Sequence, residues 1–159
     1  MTTEHNVFLS RTKMPAPEEW RSAIVQHGFG LEMETGFDPD LYEGFISCKY
    51  HDQETGFEFY SEESDLEELL AEEAITGEER ERIGDRDYLV TLVSDPESRS
   101  YVAAGIAAAV LCELSDGLLA PGGETPFFGP EEAIGWAKKS EPMLLEEIEW
   151  QKEERARSE

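Results

Sequence analysis

A single α/β domain of the α+β kind, with about five largely antiparallel strands and helices packed on them, is the fold class predicted by this chain of 159 residues. Three observations predict it. Short runs of alternating apolar and polar residues, separated by turn residues, follow one another between Phe29 and Tyr60. Segments with helical start signals interleave with the strand-like runs. One run of small and apolar residues, Tyr101 to Cys112, reads as a helix buried on every side. A chain of this length makes about one domain and can bury roughly two-thirds of its unfolded surface. Its 39% apolar content places the acid described below on a folded body rather than on an unstructured arm.

Taken in order, Asn6 to Arg11 reads as a first strand, with Val7 and Leu9 on one face. Pro15 to His27 reads as a helix. Pro17 suits its first turn, Glu18 and Glu19 favour its positive end, Trp20, Ala23, Ile24 and His27 form its stripe, and Gly28 ends it. The runs Phe29 to Thr35, Gly44 to Tyr50 and Thr55 to Tyr60 predict an antiparallel meander with one solvated face. In the third run Phe57 and Phe59 alternate with Glu58 and Tyr60. Ser64 and Glu67 have capping-box spacing, with Leu66, Leu69, Leu70 and Ala74 as a narrow stripe, and Thr76 and Glu79 repeat that spacing.

Tyr88 to Ser94 is apolar on both faces and predicts an interior strand. Asp95-Pro96-Glu97 predicts the start of the buried alanine-rich helix, which Gly117 closes. Leu118 to Phe128 reads as a short hairpin or paired edge. Gly129-Pro130-Glu131-Glu132 opens a last helix that Ser140-Glu141-Pro142 breaks or restarts. The domain is expected to span residues 1–159, with 152–159 as a fraying charged tail.

The composition carries the strongest functional signal. Thirty-seven Asp and Glu against 13 Lys and Arg give a formal net charge of −24, where a magnitude of about 2–8 suffices to keep a small domain soluble. Between Asp52 and Glu81 only Arg80 is basic. Such a surface repels phosphates and anionic lipid, so neither direct nucleic-acid binding nor membrane binding is expected, and it attracts a basic partner. The longest apolar run, about 12 residues, falls short of the ~20 that span a bilayer. With no basic, apolar leader at Met1 to His5, a cytoplasmic location is expected. Cys48 and Cys112 lack CxxC spacing and read as buried free thiols.

Enzyme signatures do not stand out. There is no GxSxG, GxxxxGK[ST], GxGxxG or HExxH, so neither a catalytic residue nor a cofactor or metal is assigned. His5, His27 and His51 are far apart. Asp38, Asp40 and Glu43 can bind a cation weakly but lack an EF-hand pattern. Glu58 facing Glu32 or Glu34 across strands would make a coupled acid pair. The candidate partner-binding residues are Glu58, Glu62, Glu63, Asp65, Glu67, Glu68, Glu72 and Glu73 on the acidic segment, together with Phe127 and Phe128. The two adjacent phenylalanines point opposite ways in an extended chain, so either both enter the core or one stands exposed as an anchor.

The stretch Ser100 to Gly117 with Leu118-Leu119-Ala120, followed by Pro130-Glu131-Glu132-Ala133, resembles the alanine-rich helix, glycine, short strand and helix opening of bacterial toxin-immunity proteins of the type VI secretion or contact-dependent inhibition type. The resemblance covers the C-terminal third. Ala120-Pro121-Gly122 stands where the usual pattern has an Asp-Pro-Gln-like turn. It implies a protein that blocks a cognate toxin by direct binding and has no catalytic residues. A DNA-mimic inhibitor and a small enzyme or ligand-binding domain with an unrecognised pocket remain as alternatives.

Overall fold

A computed structural model describes residues 2–123 and 127–158. Six strands form one antiparallel sheet: β1 (Thr3–Leu9), β2 (Leu31–Met33), β3 (Gly44–Tyr50), β4 (Gln53–Glu63), β5 (Tyr88–Ser94) and β6 (Leu118–Ala120). Their spatial order is β2-β3-β4-β5-β1-β6, and the sheet curls into a half-barrel. The expected meander is present and β5 extends it. The sixth strand comes from the expected edge, for β6 pairs with β1 while Leu119 also bridges Phe128.

Strand ends differ from the local pattern because their partners set them. β1 begins at Thr3 rather than Asn6, since its ladder on β5 runs from Thr3 opposite Ser94 to Leu9 opposite Tyr88. Beyond it Arg11 turns away, and its amide donates to Asp87 Oδ1 at 2.9 Å. β4 reaches from Gln53 to Glu63 because it serves two neighbours. Its residues 53–59 pair with β3 and its residues 58–63 with β5.

The sheet's inner face carries Val7, Leu9, Leu31, Met33, Ile46, Cys48, Tyr50, Phe57, Phe59, Tyr88, Val90 and Leu92, all buried. Helix α4 (Ser98–Leu114) packs across it, flanked by α1 (Pro17–Gln26) and α5 (Pro130–Ser158). Every residue from Val102 to Cys112 is buried. The run of alanines lets backbones approach closely, and each large side chain driven in from the sheet contributes about 1.5–3 kcal/mol. Trp20 on α1, fully buried, donates its indole N–H to Ala107 O on α4 at 2.9 Å.

Helix boundaries carry the corrections. α4 starts at Ser98, three residues after Asp95, because the Asp95 carboxylate accepts the Glu97 amide in a local turn instead of capping the helix. At its other end Asp116, at φ 51°, takes the left-handed position. Gly117 is required for space, since a Cβ there would lie 2.8 Å from Phe8 O. α2 (Leu66–Ala71) is capped by Asp65, which accepts the Glu68 amide at 3.0 Å, and not by Ser64. Ser64 is held elsewhere, its amide and hydroxyl donating to Asp87 O and Arg86 O. α3 (Gly77–Ile83) has the expected Thr76–Glu79 capping box, made in both directions. α5 runs on to Ser158 with Pro142 inside it, without the break or restart expected at 140–142. Ala133, Ile134 and Ala137 packed in the core, and Tyr50 O–H donating to Glu141 Oε2 at 2.7 Å, hold the preceding turns against a local cost of ~3 kcal/mol.

A second, smaller core lies on the outer face. Phe8, Leu118, Ala120 and Phe127 meet Leu66, Ile75 and Ile83 there, so α2 and α3 cover only the β5-β1-β6 end of that face.

His5, on β1, is a fully buried polar group on the inner face. Its Nδ1 accepts the Gly122 amide at 3.1 Å, so the ring proton sits on Nε2, which has no hydrogen-bond partner among the described residues. The rings of Tyr101 and Trp136 stand 5.3 and 5.9 Å away. Burial pushes the His5 pKa from 6.5 down to about 4. The unfolded chain therefore binds this proton first as pH falls, and the neutral histidine's full contribution to stability is present above pH 6.5 and is lost toward pH 4. Denaturant unfolding is expected to lose about 3 kcal/mol across that window through His5, and a His5→Gln chain should show a correspondingly shallower pH slope. Equal slopes in the two proteins would refute the assignment.

Candidate functional site

Alternation on β4 decides where the acid goes. Phe57 and Phe59 point inward, so Glu54, Gly56, Glu58, Tyr60 and Glu62 share the outer face. In register, Phe45, Glu58, Val93 and Glu4 form a row across four strands, and Tyr60 stands opposite Thr91 in the next. Glu62 stands opposite Leu89, where the second core begins. Past that row the outer face is open, with Phe45 54% and Tyr60 38% exposed. Glu32 lies opposite Lys49, and Glu58 opposite Phe45 and Val93, so the register does not supply the facing of Glu58 with Glu32 or Glu34 that an acid pair would need.

The open face has a built centre. Gly56 carries no side chain, and the ring of Phe45 lies over it: a Cβ on Gly56 would stand 2.3 Å from Phe45 Cζ and 2.4 Å from Ile46 O. An aromatic ring covering a strand glycine in this way shields the backbone and pins the register. Tyr60 is surrounded by acid, and its hydroxyl pKa is raised by desolvation and by Glu58 and Glu43.

The remaining acidic candidates divide by task. Glu63 lies 3.7 Å from Arg11, and Glu67 lies 3.0 Å from Arg80. Asp65 caps α2. Glu68, Glu72 and Glu73 are exposed, and none of them, nor Glu58 or Glu62, makes a salt bridge among the described residues. Glu73 holds a left-handed φ of 59° just after α2.

Phe127 and Phe128 do point opposite ways, and both go inward. Phe127, 5% exposed, packs on Phe8 at 5.6 Å between ring centres in the outer core. Phe128 is half-buried, 6.3 Å from Trp136, and its backbone pairs with Leu119 in both directions. Neither ring is set out on the acidic face. The exposed aromatics there are Phe45 and Tyr60. Tyr60 was visible in the alternation that groups it with Glu58, and Phe45 sits among Ser47 and Lys49 on the polar side of its strand.

The other candidate chemistries have structural uses. Asp38 accepts the Asp40 amide within its loop, and Asp40 pairs with Arg11. His27 closes α1 and hydrogen-bonds Glu113, and the His51 ring meets Tyr50 edge-on. Among the described residues no group of three His, Cys, Asp or Glu side chains is placed to hold a metal ion. None of their helices is long and apolar enough to cross a membrane. No family model matches the chain, nor does any curated protein or solved structure.

Gly56→Ala should destabilise the fold by about 1–3 kcal/mol through overpacking. Adding Phe45→Ala should return part of that loss and not all, because the clash with Ile46 O remains. Urea denaturation of the two variants checks this, and full recovery in the double variant would place the strain in the ring alone.

Proposed function

We propose that this chain is a non-enzymatic inhibitor that binds a basic protein, most specifically an immunity protein that neutralises a cognate secreted bacterial toxin from the cytoplasmic side. The observation that carries the reading is the unpaired acid of one side of the molecule. The open outer sheet face and the neighbouring α2 turn present Glu58, Glu62, Glu68, Glu72 and Glu73, none of which makes a salt bridge among the described residues. Holding like charges together destabilises the compact state by self-repulsion, and the inner core offsets that cost. Toward a basic protein the same charges speed encounter and discriminate against acidic competitors. The exposed aromatics beside this acid are Phe45 and Tyr60, while Phe127 lies in the outer core.

Capture of a single stoichiometric basic protein from the native host, whose toxicity this chain abolishes on co-expression, is the expected outcome. Reversal of Glu68, Glu72 and Glu73 to Lys should then slow association at least tenfold at low salt and flatten its dependence on ionic strength. An unchanged association rate at low salt would remove α2 from the contact surface, and a host that yields no such partner would remove the inhibitor reading.

A further inference from the structure

We propose that the open sheet face holds a groove for one guanidinium or ammonium side chain of a basic polypeptide, with Phe45 as its platform and Glu58 and Asp95 as its carboxylates. The proposal rests on the basic-partner reading and narrows it to a place and a chemistry.

The groove, about 250 Å³, lies between β3-β4-β5 and the start of α4, lined by Thr2, Phe45, Gly56, Glu58, Val93 and Asp95. It is smaller than the roughly 300–1,000 Å³ of small-molecule sites and suits a single long side chain. Its floor is fixed. Buried Ser100 donates its hydroxyl to Gly56 O at 2.7 Å and accepts the Asp95 amide at 3.1 Å, which ties β4 to the segment leading into α4. Phe45 sets the Cζ and Cε2 atoms of its ring against Gly56 and, at 54% exposure, leaves much of the ring to solvent. Glu58 is its cross-strand neighbour, and a guanidinium laid on the ring would meet that carboxylate in its own plane.

Charge selects the occupant. One Asp95 oxygen takes the Glu97 amide at 2.9 Å, and neither Asp95 nor Glu58 makes a salt bridge among the described residues. The nearby Arg99 is already engaged by Glu97 at 3.2 Å. Two carboxylates without cations repel phosphates and carboxylate ligands, and the net charge of −24 opposes a second copy of the chain. A cation with a flat apolar face satisfies both the ring and the acid, which favours arginine over lysine.

The test is an amide-resonance titration of the isotopically labelled full chain with an acetylated peptide of alternating glycine and arginine, and with the same peptide carrying citrulline for arginine. Saturable shifts centred on Phe45, Gly56, Glu58, Val93 and Asp95 are expected with arginine and not with citrulline. Phe45→Leu and Glu58→Gln should each weaken binding by about three- to tenfold, while Glu18→Gln on α1 leaves it within about twofold. Both substituted side chains are exposed, and unchanged resonances elsewhere verify the fold. Shifts confined to residues 67–73, with full affinity retained by Glu58→Gln, would overturn the groove and leave the basic-partner reading standing. No saturable binding of the arginine peptide at low salt would overturn the groove, while the basic-partner reading stands or falls on capture of its partner from the host.

Discussion

Close seating of α4 on the inner face of the sheet is the constraint on which the rest of the structure depends. A helix buried from Val102 to Cys112 has no solvent side, so something must cover it all round. The curled sheet covers one side, α5 a second, and α1 reaches in with Trp20. Gly105 shows how tight the fit is: a Cβ there would stand 3.2 Å from the Trp136 ring. Larger side chains at the glycine and alanine positions of this helix would push the sheet and α5 apart, and with them the placement of His5 and its bond to Gly122.

All three long helices are recruited to one face of the sheet, and that leaves the opposite face short of cover. α2 and α3 are short, six and seven residues, and bury only Leu66 and Ile83 within their own bounds. They close the β5-β1-β6 end, where Phe8 and Leu118 supply an apolar floor, and stop there. An open sheet face in a monomer is ordinarily polar along its length. This one is polar and acidic except where Phe45 and Tyr60 interrupt it, and the Gly56 that makes room for the Phe45 ring is costly in a strand.

What could be read in the sequence was local. The meander, the buried alanine-rich helix, the Thr76 capping box and the pairing of Glu58 with Tyr60 on one face all follow from spacings of two to four residues, and all are present. What could not be read depended on residues far along the chain. Ser64 loses the capping role to Asp65 because Asp87 and Arg86 hold it, and Asp95 caps a turn because Ser100, tied to Gly56 on β4, sets where α4 can begin. Pro142 stays in a helix because Tyr50, on β3, grips the residue before it. The exposure of Phe45 belongs to the same class, since it depends on Gly56, two positions before its cross-strand partner Glu58 on β4. Phe127 is buried by Phe8, more than a hundred positions earlier.

Charge and ring act on different stages of an association, and that is why their coincidence on one face matters more than either alone. Surface carboxylates attract a basic partner over about one Debye length, ~10 Å in dilute salt, and raise the rate of encounter. Each exposed pair they form afterwards adds only about 0–1 kcal/mol, so charge alone yields a fast and short-lived complex. Residence requires a contact that excludes water. On α2 the exposed acids have no such contact beside them, for Leu66 is buried and Leu69 and Leu70 pack into the small core. On the outer sheet face the ring of Phe45 adjoins Glu58 directly across the ladder, so a cation drawn in by the field is set down on a surface that can desolvate it. The net charge accounts for attraction from a distance, and the geometry around Gly56 is where attraction can become binding.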